Sequence, residues 1–343
     1  MWDSYFLVWR NYMKRMYGFI AIILIFLGFA YFQESSPAIQ KNKVPEIGVL
    51  TLMHHPALDE IYRGFLNELK AEGYQNGKNI KINYQNANGD QSNLRTMASK
   101  LVDQNNNILV GITTPAAQAL ANDTKNTPII LGGITDPQGA GLVKSNNHPG
   151  GNITGVSDGA PIKQQLHLIK EFMPNLKTLG VIYTSSDNSA VSEYKKVVAE
   201  CKKMHINLKS YSIANSNDLN QVSVQMFSQV DAVIVPTDNT IAGAMDTLVK
   251  NGNAANKPIF PAASTMVKDG GVATYSVNQY DLGKETAKMT VAILKGKKKP
   301  ATTAIAHITK GEPVLNLKEA EKLGLKVPTK FMKECKKEGE IYR

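Results

Sequence analysis

Ile108-Leu109-Val110-Gly111-Ile112-Thr113-Thr114-Pro115-Ala116-Ala117-Gln118-Ala119 is echoed later in the chain by Ala232-Val233-Ile234-Val235-Pro236-Thr237-Asp238-Asn239-Thr240-Ile241-Ala242-Gly243. A helix-length gap after the first leads to Thr127-Pro128-Ile129-Ile130-Leu131-Gly132-Gly133, and after the second to Lys257-Pro258-Ile259-Phe260-Pro261-Ala262-Ala263. In both copies an apolar run ends in a hydroxyl or Asp able to cap the helix that follows, and a second apolar run opens near a proline. Two similar α/β lobes are implied. Parallel sheets bind ligands beyond the carboxyl ends of their strands, where helix amino ends offer unpaired N–H groups to a carboxylate or phosphate. Two such crevices face to face would enclose a ligand.

The alternation extends outward from these copies. Glu46 to Thr51 reads as a buried strand, and Met53-His54-His55-Pro56 turns the chain. Leu58, Ile61, Tyr62, Phe65, Leu66 and Leu69 then recur at helical spacing up to Gly73. Strands are expected at 79–85, 178–183, 207–213, 258–260 and 272–275, with helices at 93–102, 163–172, 190–204, 219–227, 240–250 and 282–294. The expected fold is α/β, with two lobes of parallel, doubly wound sheet and a ligand cleft between them. Residues 1–45 are assigned to an anchor or signal segment and tether, 46–156 to the first lobe and 157–275 to the second. Part of 276–310 is expected to return to the first lobe and 311–343 to dock on the second.

A chain of 343 residues suits two domains, and 43% hydrophobic with 20% charged residues is globular composition. Its formal charge is +10, but the lysines recur at helix-surface spacing without a nucleic-acid reading motif, so nucleic acid is not the expected partner. Cys201 and Cys335 form no CxxC pair and read as structural. Gly18 to Phe32 is an almost unbroken apolar run, preceded by Arg10, Lys14 and Arg15 and followed by none before Lys41. That asymmetry places the remainder outside the cytoplasm. Met13-Lys14-Arg15 would also serve as a signal start. No A-x-A cleavage site follows the run, so an uncleaved anchor is favoured over a signal removed after secretion.

Three motifs have competing readings. Gly155-Val156-Ser157-Asp158-Gly159 matches the G-x-S-x-G nucleophile elbow, yet Pro161 interrupts where an elbow needs a helix, so no catalytic residue is assigned. His54-His55 lacks further ligands at metal spacing, so no metal is assigned. Gly139-Ala140-Gly141 lacks the third glycine of a dinucleotide fingerprint, and no cofactor is assigned.

Pro128 to Val143, containing Thr135-Asp136-Pro137-Gln138-Gly139-Ala140-Gly141-Leu142-Val143, and then Pro149-Gly150-Gly151-Asn152-Ile153-Thr154-Gly155-Val156-Ser157, resemble the signature of the ABC-transporter substrate-binding protein family that includes tryptophan-type amino-acid receptors. His55-Pro56-Ala57-Leu58-Asp59, Val235 to Thr240 and Val314-Leu315-Asn316-Leu317 resemble it too, so that the likeness runs from about Glu46 to Met332. Two departures stand out: His54 where an acidic residue is common, and no lipid-attachment cysteine, which points to a different anchor.

The resemblance implies two Rossmann-like lobes joined by crossing strands with the ligand held at their interface, in an extracytoplasmic receptor, not an enzyme, that closes on an amino-acid-like ligand and serves ABC permease subunits; a monomer is expected. An aromatic amino acid such as tryptophan is preferred, because Tyr275, Phe260, Tyr62 and His55 are candidates for the cleft wall. The family's cleft segments fall here on His55, Pro56, Thr113, Thr114, Pro115, Thr135, Asp136, Pro137, Ser157, Asp158, Ser185, Asn188, Ser189, Asp238 and Asn239. Thr114 and Thr135 are assigned the ligand carboxylate. Asp238 is assigned the ammonium, with a helix N-cap as its other reading. The alternatives are a ligand-sensing receptor domain and an esterase-like hydrolase using Ser157.

Overall fold

The computed structural model describes residues 44–308 and 311–343, and Pro45–Arg343 forms one compact unit. The apolar run at 18–32 and the alternative start at Met13 lie outside the described residues. Among the described residues no helix is long and apolar enough to cross a membrane.

The first lobe alternates β1 (Glu46–Thr51), α1 (Pro56–Ala71), β2 (Lys81–Asn86), α2 (Gln91–Asp103), β3 (Ile108–Ile112), α3 (Thr114–Asp123), β4 (Ile129–Gly132) and β5 (Ile153–Ser157). The second continues with α4 (Ile162–Phe172), β6 (Thr178–Thr184), α5 (Asn188–Lys203), β7 (Asn207–Ile213), α6 (Leu219–Phe227), β8 (Ala232–Val235), α7 (Asn239–Ala242), α8 (Met245–Ala254) and β9 (Ile259–Pro261). After α9 (Ser264–Lys268) come β10 (Ala273–Ser276), α10 (Gln279–Leu294), β11 (Ala306–His307), β12 (Glu312–Asn316), α11 (Leu317–Lys322), α12 (Thr329–Glu338) and β13 (Glu340–Tyr342).

Strand order is β11-β5-β4-β3-β1-β2 in the first sheet and β7-β6-β8-β9 in the second, with every pair parallel. The echoed segments are therefore equivalent, since β3 pairs with β4 as β8 pairs with β9. Successive residues of a strand point to opposite faces. Leu50, Leu109 and Leu131 thus enter one core layer, and Val49, Val110 and Ile130 the other. Burial on both faces is what makes these strands continuous apolar runs.

Among the described residues the chain crosses between lobes three times. Ser157 leads to α4, Ser276 leads to α10, and β11 leads to β12. These crossings touch: a Cβ on Gly311 would lie 2.9 Å from Tyr275 Cβ and 3.0 Å from Pro161 Cγ. A small sheet, β10-β12-β13, supports them on the second-lobe side. Phe331 of α12 packs edge-on against Phe172 at 5.9 Å and Tyr275 at 5.3 Å, which fixes the tail to the second-lobe core.

One expected element divides. The helix anticipated over 240–250 breaks into α7 and α8, because the backbone leaves helical geometry at Ala244 (φ −124°, ψ 22°) beside the weak helix former Gly243. Apolar periodicity continues across the break and does not reveal it.

Candidate functional site

Both echoed strand ends reach one cavity between the lobes. In the first lobe the helix start is unusual. Thr113 has φ 86° and ψ 152°, a glycine-like conformation in which a β-branched residue is strained. Its hydroxyl is buried and has no hydrogen-bond partner among the described residues, and Pro115 follows in the first turn of α3, where a missing N–H costs nothing. Strain of about 1–3 kcal/mol at such a residue persists only where the surroundings impose it. Thr113→Gly is therefore expected to raise the melting temperature of the ligand-free protein while weakening ligand binding, because the hydroxyl is lost. Melting curves and titration of the same variant check both halves.

Two carboxylates, Asp158 and Asp238, share the cavity lining with this helix start. Asp158, in the first crossing, is buried and accepts one side-chain hydrogen bond, from Thr135 Oγ1 at 3.3 Å. Burial, then the charge of Glu193, push its carboxyl up to about 6. Glu193 is itself buried, and its Oε1 and Oε2 accept from Ala160 N (3.0 Å) and Thr237 N (2.7 Å). Burial raises its carboxyl as well.

Asp238 caps α7, accepting from Ile241 N at 3.0 Å, and also takes Thr184 N at 2.6 Å and Thr184 Oγ1 at 3.0 Å. Both its oxygens are thus engaged by protein donors, which is the N-cap arrangement. His55 caps α1, its Nδ1 accepting from Ala57 N at 3.3 Å. Burial holds its imidazole below the usual pKa, against the fields of Asp269 and Asp59, so the ring stays a neutral acceptor at that nitrogen.

Of the residues expected from sequence, His55, Thr113, Thr114, Thr135, Asp158, Ser189, Asp238 and Asn239 line the cavity together. The others lie elsewhere. Pro56 and Pro115 shape the first turns of α1 and α3. Ser157 is buried behind the wall, its hydroxyl donating to the Thr135 carbonyl at 3.4 Å, and no hydrogen bond joins it to a histidine among the described residues. Ser185 donates to the Ile213 carbonyl, and Asn188 reaches Gln118 at 3.5 Å. Asp136 and Pro137 form the turn after β4, outside the lining.

The aromatic wall is also placed differently. Tyr275 points away from the cavity, its hydroxyl donating to Glu334 and its ring packed on Phe331. Phe260 packs on Phe172 in the second-lobe core, and Tyr62 lies against Tyr84. The apolar wall is instead aliphatic, with Leu58, Ile61, Met266, Val277 and several alanines. Thr237, Ser276 and Gln279 complete the polar side. The signal available for them was position alone, since Ser276 closes a strand and Thr237 and Gln279 follow strand ends. Among the described residues the lining holds no Lys or Arg, and no group of three His, Cys, Asp or Glu is arranged to hold a metal. His54 pairs with Asp59 at 3.2 Å.

The profile of the family described as ABC transporter substrate binding protein matches residues 46–338. The chain belongs to this family. It is 36% identical over 256 residues to a tyrosine-binding protein of Clostridioides difficile (strain R20291), covering 75% of this chain and 74% of the relative. Among solved structures it resembles an ABC domain from Streptococcus pneumoniae in complex with L-Trp, with 42% identity and a TM-score of 0.84 over 87% of this chain and all of that one. The ligand-free, open structure of a substrate-binding protein with adhesive properties from Clostridium difficile is 32% identical, with a TM-score of 0.69 over 88% of this chain and 99% of that one. These relatives are solute-binding proteins.

Proposed function

We propose that this protein captures a free aromatic amino acid outside the cytoplasm and delivers it, as a monomer, to the permease of an ABC importer. The observation that carries the reading is the polarity of the cavity. The α3 amino terminus and the Thr113 hydroxyl, which has no partner among the described residues, offer donors to a carboxylate. The lining also holds the buried Asp158 carboxyl and, among the described residues, no lysine or arginine, a setting in which a ligand ammonium would pair with that carboxylate. The aliphatic wall of Leu58, Ile61 and Met266 accepts an apolar side chain. Tyrosine and tryptophan, named for the relatives, supply all three features.

On this reading the ammonium goes to Asp158 rather than Asp238, whose oxygens are already engaged. The hinge is the set of three crossings between lobes 46–156 and 157–275. The run at 18–32 is the tether that holds the receptor on the outer face of the membrane.

Ligand that binds only the folded state stabilises it by about 2.7 kcal/mol at one hundred times its Kd. For a protein of this size that is a rise of about 4 °C in melting temperature. L-Trp, L-Tyr or L-Phe is expected to give such a rise, whereas tryptamine and indole-3-propionate, each lacking one charged group, are not. Absence of a shift with all three amino acids would overturn the reading.

A further inference from the structure

Asp136 was expected at the ligand, but its carboxylate makes a different contact. Its Oδ1 accepts from Gly139 N at 2.8 Å within its own turn, and its Oδ2 accepts from Ser192 Oγ at 2.6 Å. Asp136 follows β4 of the first lobe and Ser192 sits on α5 of the second, so this charge-assisted bond spans the cleft. Burial alone would raise the Asp136 carboxyl, but the hydrogen bonds from Ser192 and Gly139 and the fields of Lys196 and Lys195 outweigh it and hold the group ionised.

One turn earlier on α5, Asn188 reaches across to Gln118 of α3, and Gln118 in turn donates to the Ala140 carbonyl at 3.0 Å. Residues three and four apart share a helix face, so Asn188, Ser189 and Ser192 are aligned. Ser189 lines the cavity. Glu193, which follows Ser192, holds Ala160 N in the first crossing. The start of α5 thus touches the cavity, the opposite lobe and the hinge segment at once.

We propose that Asp136 and Ser192 form a latch that holds the lobes shut and sets how long a bound ligand stays. Neither residue lines the cavity, so both act as positioning residues, through closure rather than through contact with the ligand. The proposal rests on the amino-acid reading only for the choice of probe.

Stopped-flow dissociation of L-Trp or L-Tyr tests it, beside small-angle scattering of the ligand-free protein. Ser192→Ala is expected to speed dissociation about tenfold, the loss of one charge-assisted bond, with little change in association rate or ligand-free melting temperature. Asp136→Asn is expected to act in the same direction. The double variant should dissociate little faster than Ser192→Ala alone, because both changes break one bond. Ser192→Thr, which keeps the hydroxyl, should restore the parent rate. An unchanged dissociation rate in Ser192→Ala overturns the latch. If neither amino acid binds, the functional reading fails separately, and the ligand-free scattering decides: a larger radius of gyration in Ser192→Ala supports the latch, and an identical one overturns it.

Discussion

Asp158→Asn is expected to weaken amino-acid binding a hundredfold or more while making the ligand-free protein more stable at neutral pH. The two effects have one cause. In the ligand-free state a carboxylate is buried near Glu193 with a single side-chain donor, and its pKa stands at about 6 against the ordinary 3.8. A carboxyl with a raised folded-state pKa binds its proton more tightly folded than unfolded. Its contribution therefore favours folding at low pH and is lost as pH rises from about 4 through 6, leaving a penalty on the order of 3 kcal/mol at neutral pH.

Asparagine keeps an acceptor for Thr135 and carries no charge, so the variant should melt higher at pH 7.5 and like the parent near pH 4. The ligand reverses the balance, because an ammonium facing an amide in a desolvated site loses about 3–5 kcal/mol of its partner's attraction. Parent affinity should also fall as pH drops below about 6 and Asp158 is protonated, and the asparagine variant should lack that dependence. Calorimetric titration from pH 5 to 8 measures it. Equal affinity for parent and variant across that range would remove Asp158 from the ammonium site.

The reading of the echoed strands located both helix starts at the cavity because strand, capping residue and helix are local features, each decided within a few neighbours. Roles that depend on distant partners were not legible. Asp238 was assigned to the ammonium with a helix cap as its other reading, and it was Thr184, fifty-four positions away and on another strand, that filled its remaining acceptors. Tyr275 was a reasonable wall residue until Glu334 of the tail took its hydroxyl to the other side of the crossing. Glu193 was missed, although a signal existed. Ala190, Glu193, Val197 and Cys201 are the buried stripe of α5, and a charge on an apolar stripe needs partners inside. Asp136 shows the converse: the sequence assigned it to the ligand, whereas the fold places it outside the lining and brings Ser192 to its carboxylate.

The first lobe should be most sensitive at the crossing of α1 and α10. Gly64 and Gly283 face each other's helices so closely that a Cβ on Gly64 would lie 2.1 Å from the Tyr280 carbonyl oxygen, and one on Gly283 2.0 Å from that of Ile61. In both cases the obstacle is backbone, which no rotamer change can move. Gly283→Ala would gain about 1 kcal/mol in helix propensity. Against this stands the overpacking, about 3 kcal/mol or more, because relief requires the helices to separate and uncover Ile61, Phe65 and Leu282, which are buried between them. Overpacking wins, and a fall of several degrees in melting temperature is expected, with weaker ligand binding since Gln279 and Ile61 both line the cavity. Gly151→Ala is the matched control: a Cβ there meets nothing within 4 Å, so its melting curve should overlay the parent's. If Gly283→Ala also overlaid it, the close approach of α1 and α10 would be wrong, and with it the way the returning helix fixes the first lobe's side of the cleft.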